Sequence, residues 1–152
     1  MSAMKILPPY LVEADAVSTA ASAISAQRIR MNVIANNLAN IHTTRNDKGE
    51  FAPYLRKTVL FKSMKPKESS PDEQGVEVHQ IITSKNPPKM IYEPDHPEAN
   101  KDGYRFDSSV KMPLEMVNMI EATRIYDANL RAMKLASGAK GKTISILDRP
   151  KP

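Results

Sequence analysis

Two stretches of this chain repeat apolar positions at alternating intervals of three and four, and between them the pattern breaks into short alternating runs interrupted by proline. No proline falls between positions 11 and 52 or between 114 and 149, whereas seven of the 12 prolines lie between Pro53 and Pro97. In the first stretch Val17, Ala20, Ile24, Gln27, Met31, Ile34 and Leu38 form a seam of coiled-coil period with one polar member, Gln27. The helix carrying it is expected to start at Asp15 or Ser18, either of which can cap it, and to end near Asn40. The small residues Ala20, Ala21, Ser22, Ala23, Ser25 and Ala26 leave room for a neighbouring helix to approach closely.

The second stretch opens at Pro113, a residue suited to a first helical turn, and repeats the spacing at Met116, Met119, Thr123, Tyr126, Leu130 and Met133. It is predicted to reach Ser137. Gly138 and Gly141 each weaken a helix by about 1 kcal/mol relative to alanine. Ile144 and Leu147 resume the register, so continuation depends on the surroundings. Residues 54–61, the alternating Val76, Val78, Gln80 and Ile82, residues 89–92, and residues 104–106 after the Asp102-Gly103 turn read as short strands. Pro66, Pro71 and Gly75 mark a loop over 65–74. The expected fold class is α+β: long N- and C-terminal helices forming a coiled-coil pair around a small, mainly β middle segment. The division follows as 1–44 (N-terminal helix), 45–109 (proline-rich β region) and 110–152 (C-terminal helix).

Composition narrows the function. Aromatics make up only 5% of residues and tryptophan is absent, so the side chains that usually dominate core burial are scarce. The net charge of +5 is dilute: residues 45–109 balance eleven basic against eleven acidic side chains, and no Lys/Arg run exceeds Arg56-Lys57. That is a solvated surface, and no nucleic acid is expected as a partner. With no cysteine there are no disulfides or cysteine-held metals. The first residues hold no apolar run of signal-peptide length, and nothing approaches the roughly 20 apolar residues that cross a bilayer, so neither a cleaved signal nor direct membrane insertion is expected.

Candidate chemistry is thin. Of His42, His79 and His96, only His96 sits among carboxylates, in Glu93-Pro94-Asp95-His96-Pro97-Glu98, and one histidine in a proline-stiffened turn lacks a zinc ligand set. No glycine-rich phosphate loop or nucleophile elbow occurs. The reading is therefore no enzyme, with no catalytic, cofactor-binding or metal residues. The sharper signal is polar: Asn32, Asn36, Asn37 and Asn40 crowd nine helical positions although asparagine is a mediocre helix former. Their amides either bond to neighbouring chains and fix register, or form a solvated stripe ending in a C-terminal cap; periodicity does not separate the two. Met112, Met116, Met119 and Met133 likewise suit either a core stripe or an adaptable interaction surface.

The run Ser25-Ala26-Gln27-Arg28-Ile29-Arg30-Met31-Asn32-Val33-Ile34-Ala35-Asn36-Asn37-Leu38-Ala39-Asn40, followed by Thr43-Thr44, resembles the signature of the bacterial flagellar rod and hook family. Pro53-Tyr54-Leu55-Arg56-Lys57-Thr58-Val59-Leu60-Phe61, Gly75-Val76-Glu77-Val78, Pro87-Pro88-Lys89-Met90-Ile91-Tyr92-Glu93-Pro94-Asp95-His96-Pro97 and the stretch from Glu115 to Asn129 are similar to segments of its proximal-rod branch, in the same order. Ala23 stands where that family usually has glycine, and the family usually begins nearer its first helix.

The resemblance implies a structural subunit of the periplasmic rod, exported without a cleaved signal peptide through the flagellar type III machinery. Its implied partners are other rod proteins, copies of itself, and MS-ring and export-apparatus proteins. The interface set is Val17, Ile24, Gln27, Met31, Asn32, Ile34, Asn36, Asn37, Leu38, Asn40, Met116, Met119, Thr123, Tyr126, Asn129, Leu130 and Met133. The rival readings are a cytoplasmic coiled-coil adaptor or export chaperone, and a rod-associated cell-wall hydrolase.

Overall fold

The computed structural model describes residues 9–46, 48–64 and 75–147. The order of elements is α1 (Pro9–Ala39), β1 (Lys57–Ser63), β2 (Val76–Thr83), β3 (Lys89–Tyr92), β4 (Tyr104–Asp107) and α2 (Met112–Leu147). The class is α+β, with a helix toward each end and a small β middle, as expected. The loop expected over 65–74 lies outside the described residues, as do residues 1–8.

Helix α1 begins at Pro9, ahead of the expected Asp15 or Ser18. Proline supplies the right φ for a first turn and has no N–H to leave unpaired there, and nothing after it stops the helix from running through both candidate caps. The helix ends where Asn40 turns its side chain back: its Nδ2 donates to the Asn36 carbonyl at 2.8 Å, and its Oδ1 accepts from the Thr43 hydroxyl at 3.1 Å. Helix α2 passes Gly138 without a break and reaches Leu147. The side chains of Ile144 and Leu147 lie outside the described ones.

Strand β1 pairs with β2, and β3 pairs with β4 antiparallel with Met90 opposite Phe106 and Tyr92 opposite Tyr104. The first strand starts later than residue 54 because Tyr54 is committed elsewhere: Tyr54 N donates to Thr43 O, and Ser109 N donates to Tyr54 O. Arg56 O accepts from Ser84 N at 2.7 Å, beside the β1–β2 pairing. The β3–β4 connection turns at Gly103, whose φ of 81° is one a side chain would resist, and Asn100 Oδ1 accepts from both Asp102 N and Tyr104 N. His96 is bonded into its own turn, its Nδ1 accepting from Glu98 N at 3.1 Å. The hydrogen bonds from Arg45 and Thr44 hold the Glu98 carboxyl below the usual carboxylate range.

The chain divides into two compact units, and both helices and β1 and β2 contribute to each. The first unit draws on the described residues within Met1–Arg28, Phe61–Glu77 and Arg124–Pro152. Its buried apolar side chains are Ala20 and Ala26. Ser22 Oγ donates to Thr19 O and accepts from Val76 N, tying α1 to the start of β2. A Cβ at Gly75, next to that bond, would lie 2.7 Å from Met64 Sδ and 3.0 Å from Ser22 Oγ, so the exposed Met64 side chain would have to move to admit one. The second unit, Ile29–Leu60 with Val78–Thr123, buries Val33, Ile34, Val59, Val110 and Ala122. Three of these seven buried apolar residues are alanines, so the interior is as thin as the composition implies.

Candidate functional site

The most buried large side chains of the second unit are polar. Asn37 on α1 and Glu115 on α2 are both fully enclosed. Asn37 Nδ2 donates to Glu115 Oε2 at 2.9 Å and to Lys57 O at 2.8 Å, while its Oδ1 accepts from Lys57 N at 2.9 Å and from the Tyr54 hydroxyl at 3.1 Å. The amide therefore makes four hydrogen bonds and pairs with the Lys57 backbone as a strand neighbour would. Glu115 Oε1 accepts from Arg56 Nε at 2.7 Å, and Arg56 Nη1 continues to Thr58 Oγ1 at 2.8 Å. One carboxylate, one amide and one guanidinium thus clamp the two helices to the start of β1. Burial first, and the Glu115 charge second, push the Tyr54 hydroxyl above its ordinary value of 10.0.

This clamp corrects the reading of Asn37 as a contact to another chain, since all its hydrogen-bonding capacity is consumed within its own. Asn40 is likewise occupied by its cap. Asn32 and Asn36 remain exposed and free to face a neighbour. Asn129 Nδ2 donates to the Ile125 carbonyl one turn back.

Three contacts fix how α1 and α2 meet in this unit: Asn37 with Glu115, Arg30 with Glu121 at 2.8 Å, and Met31 Sδ with the Thr123 hydroxyl at 3.8 Å. From Asn37 with Glu115 to Arg30 with Glu121 position falls along α1 as it rises along α2, so the two segments run antiparallel. The buried line of α2 is Glu115 and Ala122, one residue before the expected line of Met116 and Thr123, both of which are exposed. Sequence reasoning chose the neighbouring line because a glutamate ranks as a surface residue and methionine does not. On α1, Ile34 is buried, and Met31 and Leu38 are half-buried, like Met119 on α2. In the first unit Val17, Ile24, Gln27, Tyr126, Leu130 and Met133 are half-buried, and Gln27 Oε1 is enclosed without a hydrogen-bond partner.

With Glu115 turned inward, the other side of α2 is left apolar and open. Met112, Leu114, Met116, Val117 and Ile120 are 43–62% exposed, and no exposed charge interrupts them from Met112 to Ile120. A soluble domain rarely leaves such a patch uncovered. Glu115, Arg56, Tyr54 and Ser109 are the residues that sequence reasoning missed. Their available signal was a lone carboxylate seven positions before Ala122, the one charged residue from Met112 to Ile120.

Comparison with known proteins agrees with an assembly subunit. Residues 18–45 match the family model described as flagella basal body rod protein, and residues 103–146 match that of the flagellar basal body rod FlgEFG protein C-terminal region. The flagellar basal-body rod protein FlgC of Buchnera aphidicola subsp. Schizaphis graminum is 42% identical over 130 residues, covering 86% of this chain and 94% of its own. FlgC of Bacillus subtilis is 36% identical over 142 residues (86% and 95%), and FlgC of Salmonella typhimurium 36% over 129 (84% and 92%). The family models leave residues 46–102 uncovered, while these alignments, spanning 84–86% of the chain, run through them as well. The chain belongs to the FlgC family of flagellar basal-body rod proteins, which makes it a structural subunit of the rod and not an enzyme.

Proposed function

We propose that this subunit builds the proximal rod, the part of the shaft that crosses the periplasm from the MS ring toward the hook, and that it polymerises through its terminal helices to carry torque. It reaches the periplasm through the flagellar type III machinery without a cleaved signal peptide. Its neighbours are copies of itself, other rod proteins, and MS-ring and export-apparatus proteins. The observation that carries this reading is the charge-free apolar face of α2 from Met112 to Ile120, left open in a chain of the rod family. The half-buried seams (Val17, Ile24, Gln27, Met31 and Leu38 on α1; Met119, Tyr126, Leu130 and Met133 on α2) and the exposed Asn32, Asn36 and Thr123 complete the contact set, whereas Ile34, Asn40 and Asn129 are engaged within the chain.

Physical cost favours assembly as the step that finishes the fold. Ordering a residue costs roughly 1–2 kcal/mol, and a unit whose buried apolar side chains, among the described residues, are two alanines recovers little of it alone. Neighbours that cover the helical seams supply the remainder. Replacing Met116, 54% exposed, by glutamate should leave the isolated chain folded and exported but should stop rod completion and swimming. Complete rods and normal swimming in Met116→Glu cells would refute this choice of face.

A further inference from the structure

The β3–β4 ribbon presents a second open surface. Met90, Tyr92, Tyr104 and Phe106 alternate onto one of its faces, because Met90 pairs with Phe106 and Tyr92 with Tyr104. The two tyrosine rings meet edge to face at 5.3 Å, and Phe51 packs on Phe106 at 6.0 Å in the same manner. Four of the chain's eight aromatic residues are gathered here, yet Tyr92 is 65% exposed, Met90 56% and Phe51 48%. A chain poor in large side chains has spent half of its aromatics outside its core.

We propose that this aromatic face docks the methionine-rich face of α2 of a second copy of the same chain, which deepens the rod-subunit reading and rests on it. Two features select that occupant. Thioether side chains pack favourably on ring edges, and Met112 and Met116 present them. Charge does not oppose the pairing: Glu93, next to Tyr92, is joined to Arg105 at 3.6 Å, Glu50 lies beside Phe51, and the helical face begins at the exposed Lys111 and shows no carboxylate up to Ile120. The areas agree too. With about 200 Å² for a fully exposed aromatic, the ribbon face offers on the order of 400 Å² and the helical face a similar amount. Joined, they bury about 800 Å², less than the roughly 1,200 Å² of a self-sufficient dimer. A contact of that size leaves the exported subunit monomeric and gains strength when repeated along an assembly. Because the two faces differ, the contact is head-to-tail and can pass from copy to copy.

The absence of cysteine gives a direct test. Full-length chains carrying both Tyr92→Cys and Met116→Cys are expressed in swimming cells, the cells are oxidised, and basal bodies are isolated and resolved without reductant. The contact predicts a ladder of covalent multiples at least tenfold stronger than with either single variant. Dimers formed by Tyr92→Cys alone would mean that like faces meet, and would overturn it. Swimming cells without a ladder would overturn this contact while leaving the rod role intact. If the double variant does not swim, Tyr92→Cys and Met116→Cys chains are purified separately and mixed at high concentration: preferential mixed disulfides support the contact, and statistical pairing sinks it.

Discussion

Replacing Glu115 by glutamine isolates the charge of the clamp with almost no change in shape. The carboxylate is fully enclosed and accepts from Asn37 at 2.9 Å and from Arg56 at 2.7 Å. A glutamine amide has a single oxygen, so one of those donors meets an NH₂ group instead. Breaking a buried ion pair from one side costs about 3–5 kcal/mol. The Arg56 side chain is 25% exposed and can turn partly to water, which lowers the expectation to about 2–3 kcal/mol. For a chain of this length that corresponds to roughly 5–10 °C in melting temperature. Urea unfolding followed by helical circular dichroism measures it, and a cycle with Arg56→Met apportions the pairwise part. A Glu115→Gln protein within about 0.5 kcal/mol of wild type would show that the clamp contributes no net stability, as many surface pairs do not.

Two further outcomes follow from the same geometry. The folded state holds the Tyr54 proton more tightly than the unfolded chain, so its contribution is complete below pH 10.0 and is lost as pH rises through the raised value; Tyr54→Phe should flatten the alkaline limb of stability, and in Glu115→Gln the Tyr54 titration read by ultraviolet absorbance should move down while staying above 10.0, because burial, its larger cause, remains. Gly75→Ala places a methyl against Met64 Sδ, which can swing away because Met64 is 37% exposed, and against Ser22 Oγ; after the entropic gain of replacing glycine it should cost no more than about 1 kcal/mol in urea unfolding, and a clearly stabilised variant would contradict the close approach.

Periodicity located the helices because a repeat of three and four survives wherever one side of a helix is covered, and it located β3 to the residue because Pro88 and Pro94 bracket it. It misplaced the start of α1, since a capping residue inside a helix leaves no different trace in sequence from one at its end. It also misjudged the asparagines: Asn32, Asn36, Asn37 and Asn40 look alike in sequence, yet one is the centre of a buried network, one a cap and two are exposed. What separates them is a contact with Lys57 and Glu115, residues 20 and 78 positions away, which no local pattern encodes.

The clamp also decides which apolar face α2 leaves open. Successive helical residues are about 100° apart, so the line through Glu115 and Ala122 and the line through Met116 and Thr123 compete for the same side of α1. Apolar burial alone favours the methionine line. Glu115 reverses that preference because its charge is satisfied where Arg56 and Asn37 converge, and turning it outward would leave the enclosed Asn37 amide one acceptor short and Arg56 without its carboxylate. Glu115→Leu combined with Arg56→Met separates stability from orientation: replacing both partners of a buried pair by apolar side chains is tolerated in many interiors, but here it removes the reason for α2 to keep Met116 outside. The variant should stay helical while a cysteine placed at position 116 loses reactivity toward a water-soluble maleimide, and rod assembly should fail with it. If position 116 stays as reactive as in the parent chain, packing and not the buried carboxylate sets the rotation of the helix.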